Sequence, residues 1–97
     1  MREANLERYA CARIAKVGGR AFKWVCPGVS GVPDRICVFP GARIVYVEFK
    51  RSGLKDGRSA RQKKVCKDLE KLGFDVRRIG SKEEFTIMME ELGYETK

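Results

Sequence analysis

The chain has 97 residues and a mass of 11.0 kDa, which predicts one domain over residues 1–97. Hydrophobic residues make up 43% of the sequence and charged residues 35%, so the composition excludes a disordered chain and a membrane protein. No apolar run approaches the roughly 18 residues of a membrane span, and the N-terminus is too polar for a signal peptide. We expect a cytoplasmic protein with no membrane partner.

The four cysteines lie far apart, with no C-x-x-C pair, and the chain has no histidine. Structural zinc sites need closely spaced ligands, so this pattern excludes a zinc knuckle. We expect Cys11, Cys26, Cys37 and Cys66 to be small buried hydrophobic residues in a reducing compartment.

The net charge of +8 is concentrated in one segment. Residues 50–67 hold eight basic residues and one acidic residue, while the remainder of the chain is close to neutral. A localised basic patch is typical of proteins that bind a polyanion, because each neutralised phosphate releases counterions. The alternative interpretation is a solvated, lysine-rich loop and helix face.

Hydrophobic periodicity and turn residues predict the order α-β-β-β-α-β-α, which implies an α/β domain with one mixed sheet and helices on its faces. Ser59 with Gln62, and Ser81 with Glu84, have the spacing of capping boxes that open the last two helices. The predicted elements are a helix over 2–17, strands over 20–26, 35–39 and 43–50, a helix from Ser59 to Gly73, a strand over 74–79, and a helix from Ser81 to Gly93.

The third strand ends on two charged residues, Glu48 and Lys50, which share a face with Ile44 and Tyr46. Both faces of its first half are apolar, as in a central strand covered on two sides. Charges that follow on such a face are costly unless a metal ion or a phosphate satisfies them. Asp34, fixed by the preceding proline at the entrance of the second strand, supplies another carboxylate.

The length of the hairpin loop decides whether these carboxylates meet. A two-residue Pro40-Gly41 loop would place Asp34 opposite Val47, and Glu48 would then point to the other side of the sheet. A loop of three or five residues shifts the register by one and places Asp34 opposite Glu48, with Cβ atoms roughly 5 Å apart. We predict the odd-length loop.

Two convergent carboxylates are the hard oxygen ligands that Mg²⁺ or Mn²⁺ prefers. Such an ion can polarise a phosphodiester and activate water, and Lys50 can orient that water or neutralise charge in the transition state. In the alternative interpretation, Glu48 and Lys50 form a salt bridge at a strand end and Asp34 caps a turn.

The run GVPDRI at residues 31–36, followed by VEFK at 47–50, resembles the PD-(D/E)xK nuclease superfamily. With an acidic first helix, a Gly-Gly pair, a strand carrying lysine and a later helix carrying glutamine, the pattern over residues 3–79 is similar to the VRR-Nuc (virus-type replication-repair nuclease) branch. The resemblance implies a restriction-endonuclease-like core.

Site residues follow from the same resemblance. It implies that Asp34 and Glu48 bind the metal, with the carbonyl of Phe49 as a further ligand, and that Lys50 is the catalytic lysine. The branch also uses a glutamate of the first helix. Glu3, in line with the apolar stripe of that helix, is preferred here, and Glu7, one residue off the stripe, is the alternative. Gln62 resembles a glutamine near the active site, although its capping-box position explains it equally well.

The function implied is a metal-dependent DNA endonuclease. Stand-alone members of the branch are phage-borne homodimers that act on branched DNA such as four-way (Holliday) junctions. The residues expected to contact DNA are Lys23, Arg51, Lys55, Arg58, Arg61, Lys63 and Lys64. Two other functions stay open: a non-catalytic nucleic-acid-binding module or accessory subunit, and a structural or protein-interaction domain, which would leave the basic segment unexplained.

Overall fold

Three helices and four strands follow one another in residues 3–50 and 60–94, which the computed structural model describes. They are α1 (Glu3–Lys16), β1 (Arg20–Lys23), β2 (Arg35–Phe39), β3 (Arg43–Phe49), α2 (Ala60–Lys71), β4 (Asp75–Ile79) and α3 (Lys82–Leu92). The predicted order and the mixed α/β fold class are confirmed. None of these helices is both long and apolar enough to cross a membrane.

The strands form one sheet in the order β1-β2-β3-β4. The first two pairings are antiparallel, whereas β3 and β4 are parallel. Parallel neighbours cannot be joined by a tight turn. The connection between β3 and β4 therefore carries α2.

The hairpin between β2 and β3 has a three-residue loop. Phe39 pairs with Arg43, which leaves residues 40–42 unpaired. Within this loop Gly41 and Ala42 have φ angles of 86° and 60°, and a left-handed residue commonly closes a three-residue hairpin loop. The predicted odd-length loop is confirmed.

The helices α1 and α3 cover one face of the sheet. The face that carries Val45, Val47 and Phe49 belongs to the same buried cluster as apolar side chains of both helices. Burying each large apolar side chain contributes roughly 1.5–3 kcal/mol. The side chains that the two helices bury are Leu6, Ala10, Ile14, Phe85, Met88 and Met89.

The opposite face is only partly covered. The helix α2 packs on β4, and its buried Cys66 lies outside the cluster on the other face. Tyr46 contacts the rings of Trp24 and Phe74, with centroids 5.2 and 5.6 Å apart. Ile44 is 42% exposed, so the expectation that β3 is covered on both sides is wrong at its start.

Two predicted elements end earlier than expected. β1 stops at Lys23: the N–H of Trp24 still donates to the carbonyl of Asp34, but Val25 is exposed and the chain then turns, with the N–H of Val29 donating to Cys26. α2 ends at Lys71, and Leu72 beyond it is exposed.

The cysteines are all free thiols. Cys37 and Cys66 are buried as expected. Cys11 and Cys26 are only half-buried, because Cys11 lies beside the buried stripe of α1 and Cys26 lies beyond the end of β1. Burial raises the pKa of Cys37 to about 12, so this thiol stays protonated and packs as an apolar group.

Candidate active site

The carboxylates of the candidate site come from adjoining ends of β2 and β3. Arg35 pairs with Val47, and the next position outward therefore sets Asp34 against Glu48. Oδ2 of Asp34 accepts a 2.8 Å hydrogen bond from the N–H of Phe49. Asp34 is thereby tied to the strand that carries Glu48.

The surroundings of Asp34 disfavour its charge on balance. Burial raises the pKa of the carboxyl, the hydrogen bond from Phe49 lowers it, nearby Glu7 raises it, and Arg35 and Lys23 lower it, with a net rise. A carboxyl with a raised pKa is one whose negative charge a bound cation would stabilise.

Glu48 is the most deeply placed charge of the site, with 3% of its surface exposed. The parallel register sets it opposite Arg78 of β4, whose Nε lies 3.5 Å from Oε2 of Glu48. A buried carboxylate is tolerated when positive charge faces it. Arg78 provides such a charge from the neighbouring strand.

Lys50 follows β3 and lies against the start of α3. Its N–H donates to the carbonyl of Ile79, and its Nζ lies 3.4 Å from Oε2 of Glu84. The structure thus gives Glu48 and Lys50 ion-pair partners on two other elements, β4 and α3. Each of the two side chains thus has an ion-pair partner other than the one in the alternative interpretation, in which Glu48 and Lys50 pair with each other.

The described acid of α1 near the site is Glu7. Its Oε1 accepts a 2.7 Å hydrogen bond from Nε of Arg35, and its charge contributes to the raised pKa of Asp34. Glu7 is therefore more than a solvated neighbour of the apolar stripe. The side chain of Glu3 lies outside the described residues, so its role as a metal ligand stays a prediction.

A close backbone contact places α2 beside the loop that leads into Asp34. A Cβ atom on Gly31 would lie 2.8 Å from the backbone of Arg61 and of Gln62, and Gly31 has a φ of +90°. Arg61 also donates to Oγ of Ser30 at 2.9 Å. The first turn of α2, including Gln62, is thus packed against residues 30–31; Ser59, predicted as its cap, lies outside the described residues.

The described residues among those predicted to contact DNA fall in two places. Lys23 is exposed on β1, near enough to Asp34 to affect its pKa. On α2, Arg61 and Lys63 are exposed, and Lys64 forms an ion pair with Asp68. A shallow groove of about 360 Å³ is lined by Ala60, Lys63, Lys64, Lys67, Asp68 and Lys71. Arg51, Lys55 and Arg58 lie outside the described residues.

A preformed protein cage for a metal is absent from the described part of the chain. Within residues 3–50 and 60–94, the side chain of Glu3 apart, no group of three or more His, Cys, Asp or Glu residues is placed to hold an ion. The acids described at the sheet end are Asp34 and Glu48 at the strand ends, Glu7 on α1 and Glu84 on α3.

Several neighbours of the site were not predicted from the sequence. Glu84 was assigned to a capping box, and Oγ of Ser81 does accept a 3.0 Å hydrogen bond from its N–H. Its contact with Lys50 has no signal in the sequence, because the two residues are far apart in the chain. Arg78 and Arg35 were likewise missed, although each stands in a strand that flanks a predicted acid.

These observations define an α/β domain with two carboxylates and a lysine at one end of a mixed sheet. A solved structure described as a VRR_NUC domain superposes with a TM-score of 0.82, at 28% identity, over 95% of this chain and 97% of the matched chain. The chain has the nuclease-like fold of the VRR-Nuc domain, and the predicted resemblance is confirmed.

A phage protein is similar in sequence over part of the chain. "Putative nuclease p44" of Acyrthosiphon pisum secondary endosymbiont phage 1 is 42% identical over 55 residues, which is 57% of this chain and 59% of the relative. The match thus spans about three fifths of that relative's length. No family model matches the chain.

Proposed function

We propose that the chain is a divalent-metal-dependent DNA endonuclease. The observation that carries the proposal is the β2–β3 register, which sets Asp34 against Glu48 with Lys50 two residues further on. The VRR-Nuc fold and the phage relative named as a nuclease support the same activity.

The donor set fits a hard divalent ion. Mg²⁺ is commonly held by one or two carboxylates and completes its coordination with water and substrate oxygens, so a cage of three acids is not required. Asp34 has a raised pKa and Glu48 is 3% exposed. A bound cation would offset the cost of burying both negative charges. Asp34, Glu48 and the carbonyl of Phe49 would hold Mg²⁺ or Mn²⁺ in this proposal.

The acid contributed by α1 is Glu7 or Glu3. The contact of Glu7 with Arg35 and its effect on Asp34 favour Glu7. Separate Glu3→Gln and Glu7→Gln variants distinguish the two. The substitution of the glutamate that binds the metal should lower the apparent affinity for Mg²⁺, because it removes a negatively charged ligand.

In the proposed reaction water attacks the phosphorus in line, and the bond to the leaving sugar oxygen breaks. A bound divalent ion would supply Lewis-acid activation of the phosphodiester and a lower pKa for the attacking water. Lys50 orients the attacking water or neutralises charge that develops on the phosphate. Gln62, on the first turn of α2 beside residues 30–31, is proposed to contact the substrate near this centre.

The proposed substrate is branched DNA, such as a four-way junction. The lysine groove of α2 begins next to the loop that carries Asp34, so a duplex arm that reaches the site would also meet positive charge along the helix. No base-reading motif stands out, which favours structure over sequence as the recognised feature.

A homodimer is proposed because cleavage of two strands needs two sites. The partly covered sheet face supports it: Phe22, Ile44 and Phe74 are each more than 40% exposed there. Sedimentation equilibrium of wild type and Ile44→Asp tests this interface. A wild-type protein that stays monomeric at micromolar concentration would contradict it.

The proposed activity is tested by cleavage of labelled four-way junction and plain duplex DNA in Mg²⁺, Mn²⁺ or EDTA. We expect cleavage with either metal, none in EDTA, and by Lys50→Ala only a residual rate that single-turnover measurement detects. The control is Lys16→Ala on α1, which removes a lysine from the other side of the sheet. If wild type binds the junction in a salt-dependent way but cuts nothing with either metal, the chain is a non-catalytic nucleic-acid-binding module.

A further inference from the structure

The side chain of Lys50 is shaped by the residue that follows β4. A Cβ atom on Gly80 would lie 2.6 Å from Cε and 2.8 Å from Cγ of Lys50. Real Cβ atoms do not approach other carbons so closely. The lysine stem therefore lies over the backbone of Gly80, in space that only glycine leaves open.

Glu84 holds the far end of the same side chain. Its Oε1 accepts a 2.6 Å hydrogen bond from the N–H of Gly80, and its Oε2 lies 3.4 Å from Nζ of Lys50. The N–H of Glu84 itself donates to Oγ of Ser81. One carboxylate thus ties the glycine backbone and the lysine ammonium together.

This arrangement contributes more to orientation than to stability. The side chains of Lys50 and Glu84 are 35% and 42% exposed, and ion pairs with that exposure are screened by water. A lysine ammonium sits on a flexible four-carbon stem with many rotamers. A partner that is fixed on a helix restricts those rotamers while leaving the ammonium accessible to a substrate phosphate.

We infer that Glu84 is a positioning residue, which with Gly80 holds the ammonium of Lys50 at the end of β3 for the phosphate of the substrate. The inference rests on the proposed nuclease function and adds to it a residue of α3. Glu84 acts through Lys50 and touches neither the substrate nor the metal. Misplacing a reacting group by about 1 Å can cost about 100-fold in rate.

The test compares Glu84→Gln with Glu83→Gln. Glutamine keeps an acceptor for the N–H of Gly80 but loses the charge that faces Lys50. Glu83 is an exposed neighbour in the same first turn of α3, so its substitution removes the same charge from the same helix end. We expect Glu84→Gln to lower kcat by about 10- to 100-fold with little change in KM, and Glu83→Gln to leave both unchanged.

Two further measurements separate positioning from other roles. In a Lys50→Ala background, single-turnover rates should fall no further on adding Glu84→Gln, because residues that act as a unit are not additive. An additional loss would overturn the inference. So would unchanged kcat in Glu84→Gln when the wild type cleaves.

A readout without cleavage keeps the inference separate from the proposed function. In protein with ¹⁵N-labelled lysine, the ammonium signal of Lys50 should shift and broaden in Glu84→Gln and stay unchanged in Glu83→Gln. Equal spectra for both variants would overturn the positioning role even if the protein is an active nuclease. If the wild type cuts no DNA but the variants show the expected spectra, the nuclease proposal is contradicted, while the contact that positions Lys50 is still supported.

Discussion

The N–H of Phe49 donates a 2.8 Å hydrogen bond to Oδ2 of Asp34, linking the start of β2 to the end of β3. This bond only partly offsets the cost of burying the carboxylate, because the pKa of Asp34 is raised on balance. A residue held in this way at the expense of stability is expected where function requires its charge.

The first prediction concerns Asp34→Asn in EDTA. Because burial raises the pKa of Asp34, the protonated form is favoured in the folded state, and this contribution to stability is lost as pH rises through the folded-state pKa. Asparagine keeps an acceptor for Phe49 without the charge. We expect Asp34→Asn to melt higher than wild type at neutral pH, with the difference shrinking as pH falls through the raised folded-state pKa and absent below the ordinary pKa of aspartate.

Added Mg²⁺ should reverse that order, because an ion that binds only the folded wild type raises its melting temperature. Thermal melts across pH with and without Mg²⁺ measure both effects. A variant that melts lower than wild type at neutral pH in EDTA would contradict the account of Asp34.

The second prediction concerns the contact between Gly31 and α2. Gly31→Ala and Gly28→Ala both place alanine at a positive φ, but only the Cβ at position 31 would meet backbone, at 2.8 Å, while that at position 28 meets nothing within 4 Å. We expect Gly31→Ala to lower the free energy of unfolding by about 1–3 kcal/mol more than Gly28→Ala does. Urea denaturation measures both, and equal changes would show that the close approach is not essential.

The third prediction concerns Gly80→Ala, which fills the space that Lys50 occupies. The atoms it meets belong to a flexible side chain, and the backbone of Gly80 is not left-handed. We therefore expect the free energy of unfolding to change by less than about 1 kcal/mol, but kcat to fall at least about 10-fold. Chemical denaturation and steady-state cleavage check the two parts. Full activity would mean that Lys50 does not need this position.

The fourth prediction concerns DNA binding by α2. Removing one lysine that neutralises a phosphate should make the slope of log K against log salt shallower by about 0.9. We expect Lys63→Gln and Lys67→Gln, in a Lys50→Ala background, to reduce this slope for junction DNA, whereas Lys16→Gln on α1 leaves it unchanged. Fluorescence anisotropy over a salt series measures it. Identical slopes for all three would place the DNA elsewhere.

Local signals predicted most of the fold. Glycine and serine marked helix ends correctly, as at Ser81 and Gly93, because capping is decided by neighbouring backbone groups. β1 was predicted too long because its aromatic and β-branched residues continue past Lys23, whereas strand length depends on where β2 begins. β2 starts at Arg35, which pairs with Lys23, so no residue of β2 lies opposite Val25.

The candidate site was predictable as far as strand alternation reaches. The facing of Asp34 and Glu48 follows from the parity of the hairpin loop. The ion-pair partners of Glu48 and Lys50 do not follow from that parity. Arg78 is brought beside Glu48 by the β3–α2–β4 crossover, and Glu84 is brought beside Lys50 by the turn into α3. The choice between Glu3 and Glu7 was likewise beyond a helical-wheel argument, because Arg35 on another element makes Glu7 a neighbour of the site.

The number of residues in the hairpin loop, three at residues 40–42, determines which side chains of β2 and β3 share a face of the sheet. Glu48 lies five residues along β3 from Arg43, roughly 17 Å of extended chain. Deleting one loop residue would nevertheless turn Glu48 to the other side of the sheet relative to Asp34. Adding or removing residues in pairs would keep the carboxylates facing. The proposed site therefore tolerates insertions of an even number of residues in this loop. A turn at the far end of the hairpin thus determines whether Asp34 and Glu48 lie on the same face of the sheet.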